Sequence, residues 1–200
     1  MISKLRPGLG RLLTEPIVRL IARTGISPNA LTITGFLLNA LVAGVLAGGY
    51  LFLGGFLVLF AGWFDMLDGA LARISGKSTR FGTLLDSTVD RFSEAVVFLG
   101  LLVFYLAQGA TLEILLIYFT IVGSIMVSYV RARAEGLGLR SEVGLFARPE
   151  RVILLALGLL PSRISPVALL VVLWILAVGT MITVLHRLIH TWRQMKDDRS

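Results

Sequence analysis

The chain has 200 residues, of which 56% are hydrophobic and only 16% charged, and its mean hydropathy is +0.86. That balance excludes an ordinary water-soluble domain and makes a polytopic membrane protein the first reading. The lack of cysteine removes disulfide frameworks and thiolate metal sites, while a net charge of +7 on so oily a chain points to membrane topology and anionic lipid, not to nucleic acid.

Residues 1–27 carry Lys4, Arg6, Arg11, Arg19 and Arg23 among Leu12, Leu13, Ile17, Val18, Leu20 and Ile21. Charges break this stretch, so it does not read as a cleavable signal peptide. The apolar spacing predicts an amphipathic helix over residues 10–24, lying on the cytoplasmic leaflet. Ser27-Pro28-Asn29 is a helix-start signal and opens a first span over 29–48. A second span is expected over 50–74, a third over 82–107 and a fourth over 112–131. A polar stretch, 131–150, precedes a short fifth span over 149–160 that stops at Pro161-Ser162. The sixth covers 166–190 and a charged tail follows. The expected fold is all-α: a single membrane domain over 1–200 with six transmembrane helices, preceded by a juxtamembrane segment, 1–27. Basic residues concentrate before the first span, after Arg73, after Tyr129 and after His186, whereas the opposite ends offer only Arg163. The positive-inside rule then puts both termini, and the turn between the second and third spans, in the cytoplasm.

That turn is flanked by four aspartates. The sequence reads Asp65-Met66-Leu67-Asp68-Gly69-Ala70-Leu71-Ala72-Arg73 and, eight residues on, Gly82-Thr83-Leu84-Leu85-Asp86-Ser87-Thr88-Val89-Asp90. Asp65 and Asp68 share one helix face, and Asp86 and Asp90 share another. Unpaired carboxylates in this setting repel one another and are costly to desolvate. Two hard divalent ions with oxygen ligands remove both problems. The two histidines, His186 and His190, lie far off in sequence and argue against a histidine zinc site.

The pattern D-x-x-D-G-x-x-A-R, eight residues, G-x-x-x-D-x-x-x-D resembles the signature of the CDP-alcohol phosphatidyltransferase family at every defined position. The resemblance implies a Mg2+-dependent enzyme of phospholipid biosynthesis in the cell (plasma) membrane, with its active site facing the cytoplasm. Such an enzyme moves a phosphatidyl group from a CDP-linked lipid, CDP-diacylglycerol, to an alcohol and releases CMP. It implies two ions, Mg2+ or Mn2+, on Asp65, Asp68, Asp86 and Asp90, with Asp90 also the general base. It implies CDP-lipid contacts from Asn29, Ala30, Leu31, Thr32, Gly69, Arg73 and Thr79, and a homodimer. Gly69 lets a nucleotide approach the backbone, and Arg73 can pair with a phosphate. For Gly69, Ala72 and Gly82 the plainer reading is helix packing, and for Asn29 a helix cap.

The acceptor is suggested by arginines. Ser128-Tyr129-Val130-Arg131-Ala132-Arg133-Ala134-Glu135, Arg148-Pro149-Glu150-Arg151 and His186-Arg187 bring separated guanidinium groups to one side of the membrane. An acceptor bearing its own phosphate needs such a pocket. These stretches resemble the phosphatidylinositol-phosphate synthase branch of the family, which implies inositol 1-phosphate as acceptor. Arg131, Arg151 and Arg187 are the expected phosphate-binding residues, with Arg133 and Ser128 nearby. The alternatives are a phosphatidylglycerophosphate synthase acting on glycerol 3-phosphate and, in a different class, a divalent-metal transporter. Glu94, one turn beyond Asp90 on the same face, has no role in this reading.

Overall fold

The computed structural model describes residues 16–76, 78–139, 141 and 143–197, and among these the regular structure is helical with no strand. Residues 16–23 form a helix, and the earlier part of the expected 10–24 helix lies outside the described residues. Then follow α1 (Pro28–Ala47), α2 (Leu51–Phe64), α3 (Met66–Ile74), α4 (Arg80–Gln108), α5 (Thr111–Gly136), α6 (Arg148–Leu159), a 3-10 turn (Leu160–Arg163) and α7 (Pro166–Asp197).

Local chemistry sets these ends. Ser27 caps α1 by accepting from the Ala30 N–H at 3.2 Å, and Pro28 occupies the first turn, where its missing donor costs nothing. Thr79 caps α4 in the same way, accepting from Gly82 N–H at 2.9 Å. Gly109 ends α4 with φ +66°, a left-handed cap that reverses the chain into α5.

Packing closes the six long elements into a ring in the order α1, α4, α5, α7, α6, α2. Its core is Val42, Leu46, Val58, Phe98, Leu101, Ile117, Leu155, Leu159, Leu173 and Leu176. Small residues allow the closest crossings: a Cβ on Gly100 would stand 2.7 Å from Ala43 Cα, and one on Gly158 would stand 2.9 Å from Val172. Polar Thr120, Ser124, Thr180 and Thr183 are buried, while Leu41, Phe56, Tyr118, Trp174 and Ile182 face outwards. An apolar exterior over a partly polar interior suits a lipid surround.

Among the described residues, four segments are long and apolar enough to cross a membrane: Pro28–Ala47, Leu51–Ile74, Thr111–Gly136 and Val167–Lys196. Two of the six expected spans do not qualify by that measure. α4 has the length, with 29 residues, but carries Asp86, Asp90, Arg91 and Glu94. α6 has 12 residues, about 18 Å of helix against a core of about 30 Å, and the chain continues past it as the 3-10 turn through Pro161. The second expected span is two helices, α2 and α3, meeting at Asp65. α3 and residues 16–23 share a small apolar cluster of Val18, Leu31, Leu67, Ala70 and Leu71.

Candidate active site

The four aspartates project from α3, α4 and the α2–α3 junction towards one another. Asp68 lies within electrostatic reach of Asp65 and Asp86, and Asp90 of all three. Each is held differently. Asp68 is buried and accepts from Thr32 Oγ1 at 2.8 Å and from Gly69 N–H at 2.6 Å. Asp65 rests against α1 where Gly35 makes room, since a Cβ there would come within 2.6 Å of Asp65 Oδ1. It accepts from Asn39 Nδ2 at 3.5 Å and from Arg148 Nη2 at 2.5 Å. Asp90 accepts from Arg148 Nη1, so a single guanidinium bridges two of the four carboxylates. Asp86 makes no hydrogen bond among the described residues. Nor, among them, do any three acidic or histidine side chains stand at the spacing that holds one ion.

The carboxylates separate two cavities. The first, about 220 Å³, lies between α1, α3 and α4 and is lined by Asn29, Thr32, Asp68, Gly69, Arg73, Thr79, Gly82 and Asp86, among others. Ser27, not Asn29, is the helix cap, so the Asn29 side chain is left to line this cavity. A Cβ on Gly69 would meet nothing nearer than Arg73 Nη1 at 3.6 Å, which excludes helix packing as the reason for a glycine there. At Gly82 the outcome differs: a Cβ would stand 3.0 Å from Thr79 Oγ1 and 3.1 Å from Asn29 Oδ1. Of the four expected residues at the start of α1, two do not reach the cavity. Leu31 is in the apolar cluster with Val18, and Ala30 faces outwards.

The second cavity, about 690 Å³, is bounded by Asp90, Glu94, Ser128, Arg131, Arg148, Arg151 and Arg187, among others. Arg187 lies within electrostatic reach of Arg131 and Arg151, so the three expected arginines do converge. They are not equally available. Arg131 is exposed and pairs with Glu135 at 2.8 Å. Arg151, 2% exposed, presents Nε and Nη2 to the two oxygens of Glu94, each at 2.6 Å, and donates from Nη1 to the Phe146 carbonyl. Three of its five N–H groups are thereby engaged, and two remain. Arg187 donates to the Val143 and Val127 carbonyls at 2.8 and 2.6 Å, keeping three. These bonds also tie the α5–α7 region to the loop before α6. Arg133 is exposed on the far side of α5 and does not line the cavity.

Sequence reasoning passed over four residues that the geometry makes prominent. Glu94 had a visible signal, four residues after Asp90, but its partner was hidden. Arg148 stood in the quoted R-P-E-R stretch without a role. Asn39 and Gly35, which seat Asp65 against α1, gave no signal beyond polarity and size.

The sequence matches the family described as CDP-alcohol phosphatidyltransferase over residues 25–192. It is 43% identical over 190 residues to a phosphatidylinositol phosphate synthase of Mycobacterium tuberculosis (strain ATCC 25618 / H37Rv), covering 90% of this chain and 86% of that protein. Crystal structures of the M. tuberculosis enzyme align closely. One, with CDP-DAG bound, has a TM-score of 0.83 at 40% identity and is covered to 93%, against 90% of this chain. Another, in complex with manganese and citrate, also has a TM-score of 0.83 at 40% identity, with 90% of this chain and 88% of that one covered.

Proposed function

Given that this chain belongs to the CDP-alcohol phosphatidyltransferase family, we propose that it transfers the phosphatidyl group of CDP-diacylglycerol to inositol 1-phosphate, giving phosphatidylinositol phosphate and CMP. The observation that carries this reading is the pair of cavities on either side of the carboxylates, one with a glycine floor and one walled by arginines. The smaller takes the cytidine diphosphate: Gly69 admits it to the backbone, Asn29, Thr32 and Thr79 offer polar contacts, and Arg73 pairs with a phosphate. The larger takes the acceptor. Arg151 and Arg187 offer their remaining N–H groups to its phosphate, Arg131 adds charge at the rim, and Ser128 lines the same wall.

Asp90 lines the larger cavity, within electrostatic reach of Asp68 and Asp86 on the smaller, where it can receive the proton of the attacking hydroxyl. The acceptor oxygen forms a bond to the lipid-side phosphorus as the bond from that phosphorus to the bridging oxygen of CMP breaks. The two cavities orient the partners in line, which is a large share of phosphoryl catalysis. The donor set fits hard divalent cations by its chemistry: all its members are carboxylates, and two already hold a cationic group between them. Bound to Asp65, Asp68, Asp86 and Asp90, two Mg2+ ions, or Mn2+, would neutralise the diphosphate and stabilise departing CMP. The manganese complex of the M. tuberculosis enzyme supports this.

The same reading has one membrane domain of six spans, in the plasma membrane, with the site facing the cytoplasm and the 16–23 helix at the membrane surface. The basic loops support it. A homodimer is also proposed. The experiment is an acceptor screen with the purified chain, CDP-diacylglycerol and Mg2+, reading CMP release. Inositol 1-phosphate is expected to give the highest kcat/KM, above glycerol 3-phosphate, free inositol and serine. A higher value with any of the other three overturns the choice of acceptor.

A further inference from the structure

We propose that Arg148 is the resident cation of the carboxylate cluster, holding Asp65 and Asp90 together in the metal-free protein and giving them up when a divalent ion binds. This rests on the divalent-ion reading above. Arg148 is the first residue of α6 and reaches across to two other helices, Nη1 to Asp90 on α4 and Nη2 to Asp65 at the α2–α3 junction. Two carboxylates that would otherwise repel are thus bridged, and half of their charge offset, by one group of the protein itself.

Three observations make this contact exchangeable, not a permanent strut. Arg148 Nε is buried without a hydrogen-bond partner, so the side chain reaches the carboxylates at the expense of its third donor site. Arg151, three residues on, is the contrast, with Nε and both terminal nitrogens engaged by Glu94 and Phe146. Arg148 also borders the 690 Å³ cavity, which gives its guanidinium somewhere to go. Finally, no three acidic side chains stand at one-ion spacing among the described residues while the guanidinium lies between Asp65 and Asp90. An ion ligated by both Asp65 and Asp90 would take the place of the guanidinium. On leaving, it brings a third buried-site positive charge into the cavity beside Arg151 and Arg187. Metal loading thereby prepares the acceptor side of the site.

The test measures Mn2+ binding to the full chain in detergent, without substrates, by electron paramagnetic resonance. Arg148→Gln is expected to bind Mn2+ about tenfold more tightly than the wild type, and Arg148→Lys, which keeps the charge, to fall between them. A second measurement needs no variant. Phenylglyoxal labelling of Arg148, read by peptide mass spectrometry on the wild type, is expected to rise when Mn2+ is added. Unchanged or weaker Mn2+ binding in Arg148→Gln, or labelling that does not rise, overturns the exchange while leaving the metal reading intact. Absence of Mn2+ binding to the wild type and both variants overturns the metal reading, and the exchange with it.

Discussion

The two cavities flanking the aspartates are built on opposite plans. The smaller is made largely of short side chains and glycine, and several of its polar groups serve one another: Thr32 Oγ1 donates to Asp68 and Thr79 Oγ1 caps α4, while Asp86 makes no hydrogen bond among the described residues and a Cβ on Gly69 would meet only Arg73 Nη1. The larger has the more conspicuous residues, yet half of the N–H groups of its buried Arg151 and Arg187 are spoken for, by Glu94 and by the carbonyls of Phe146, Val143 and Val127. Counting arginines therefore overstates the charge on offer to an acceptor phosphate. What the larger cavity provides is a few N–H groups at fixed positions, with much of the net charge already cancelled.

Four substitutions break or sharpen this contrast. The largest effect belongs to the carboxylate that lines the larger cavity: Asp90→Asn should lower kcat by about 10²–10⁴-fold while CDP-lipid binding persists. Measured CMP release with acceptor present, beside a CDP-lipid binding assay, checks it. Arg151→Lys comes next. It keeps the charge but loses the planar fork, so the acceptor KM should rise by about tenfold or more with the CDP-lipid KM little changed. Equal rises in both KM values would mean that the cavities are not separate in function.

Gly69→Ala should do the converse on a smaller scale. A Cβ there meets only Arg73 Nη1, at an ordinary contact distance of 3.6 Å, so the melting temperature should stay within about 2 °C, yet the CDP-lipid KM should rise several-fold, or about 1 kcal/mol. An unaltered KM would remove the nucleotide from that wall. The smallest effect is expected at Arg133, which lies outside both cavities, where alanine should change either KM by less than about twofold.

Much of this was legible before any coordinates. Aspartates spaced three and four residues apart in an oily chain can only share faces, and the structure brings them together. Where the reading failed, the reason is mostly geometric. Leu31 follows Asn29 by two residues, as Arg133 follows Arg131, and two residues turn a helix by about 200°, onto its other side. Motif stretches written in one line are thus split between cavity and exterior. Two expected spans fell short of a simple measure of length and apolarity, α4 because the polar groups of the site sit in it and α6 because it has only 12 residues. The pairings that matter most, Arg148 with Asp90 and Asp65 and Arg151 with Glu94, join residues 58, 83 and 57 positions apart. No periodicity records a contact of that kind.

The near-touching backbones at Gly100 and Ala43 carry a consequence for the distant smaller cavity. They act as a fulcrum for α1 and α4, whose other ends, at Asn29 and Gly82, form facing jaws about 20–27 Å away. A single methyl at Gly100 would pry those long levers apart, widening the cavity proposed for cytidine from the opposite end of the bundle without touching any residue that lines it.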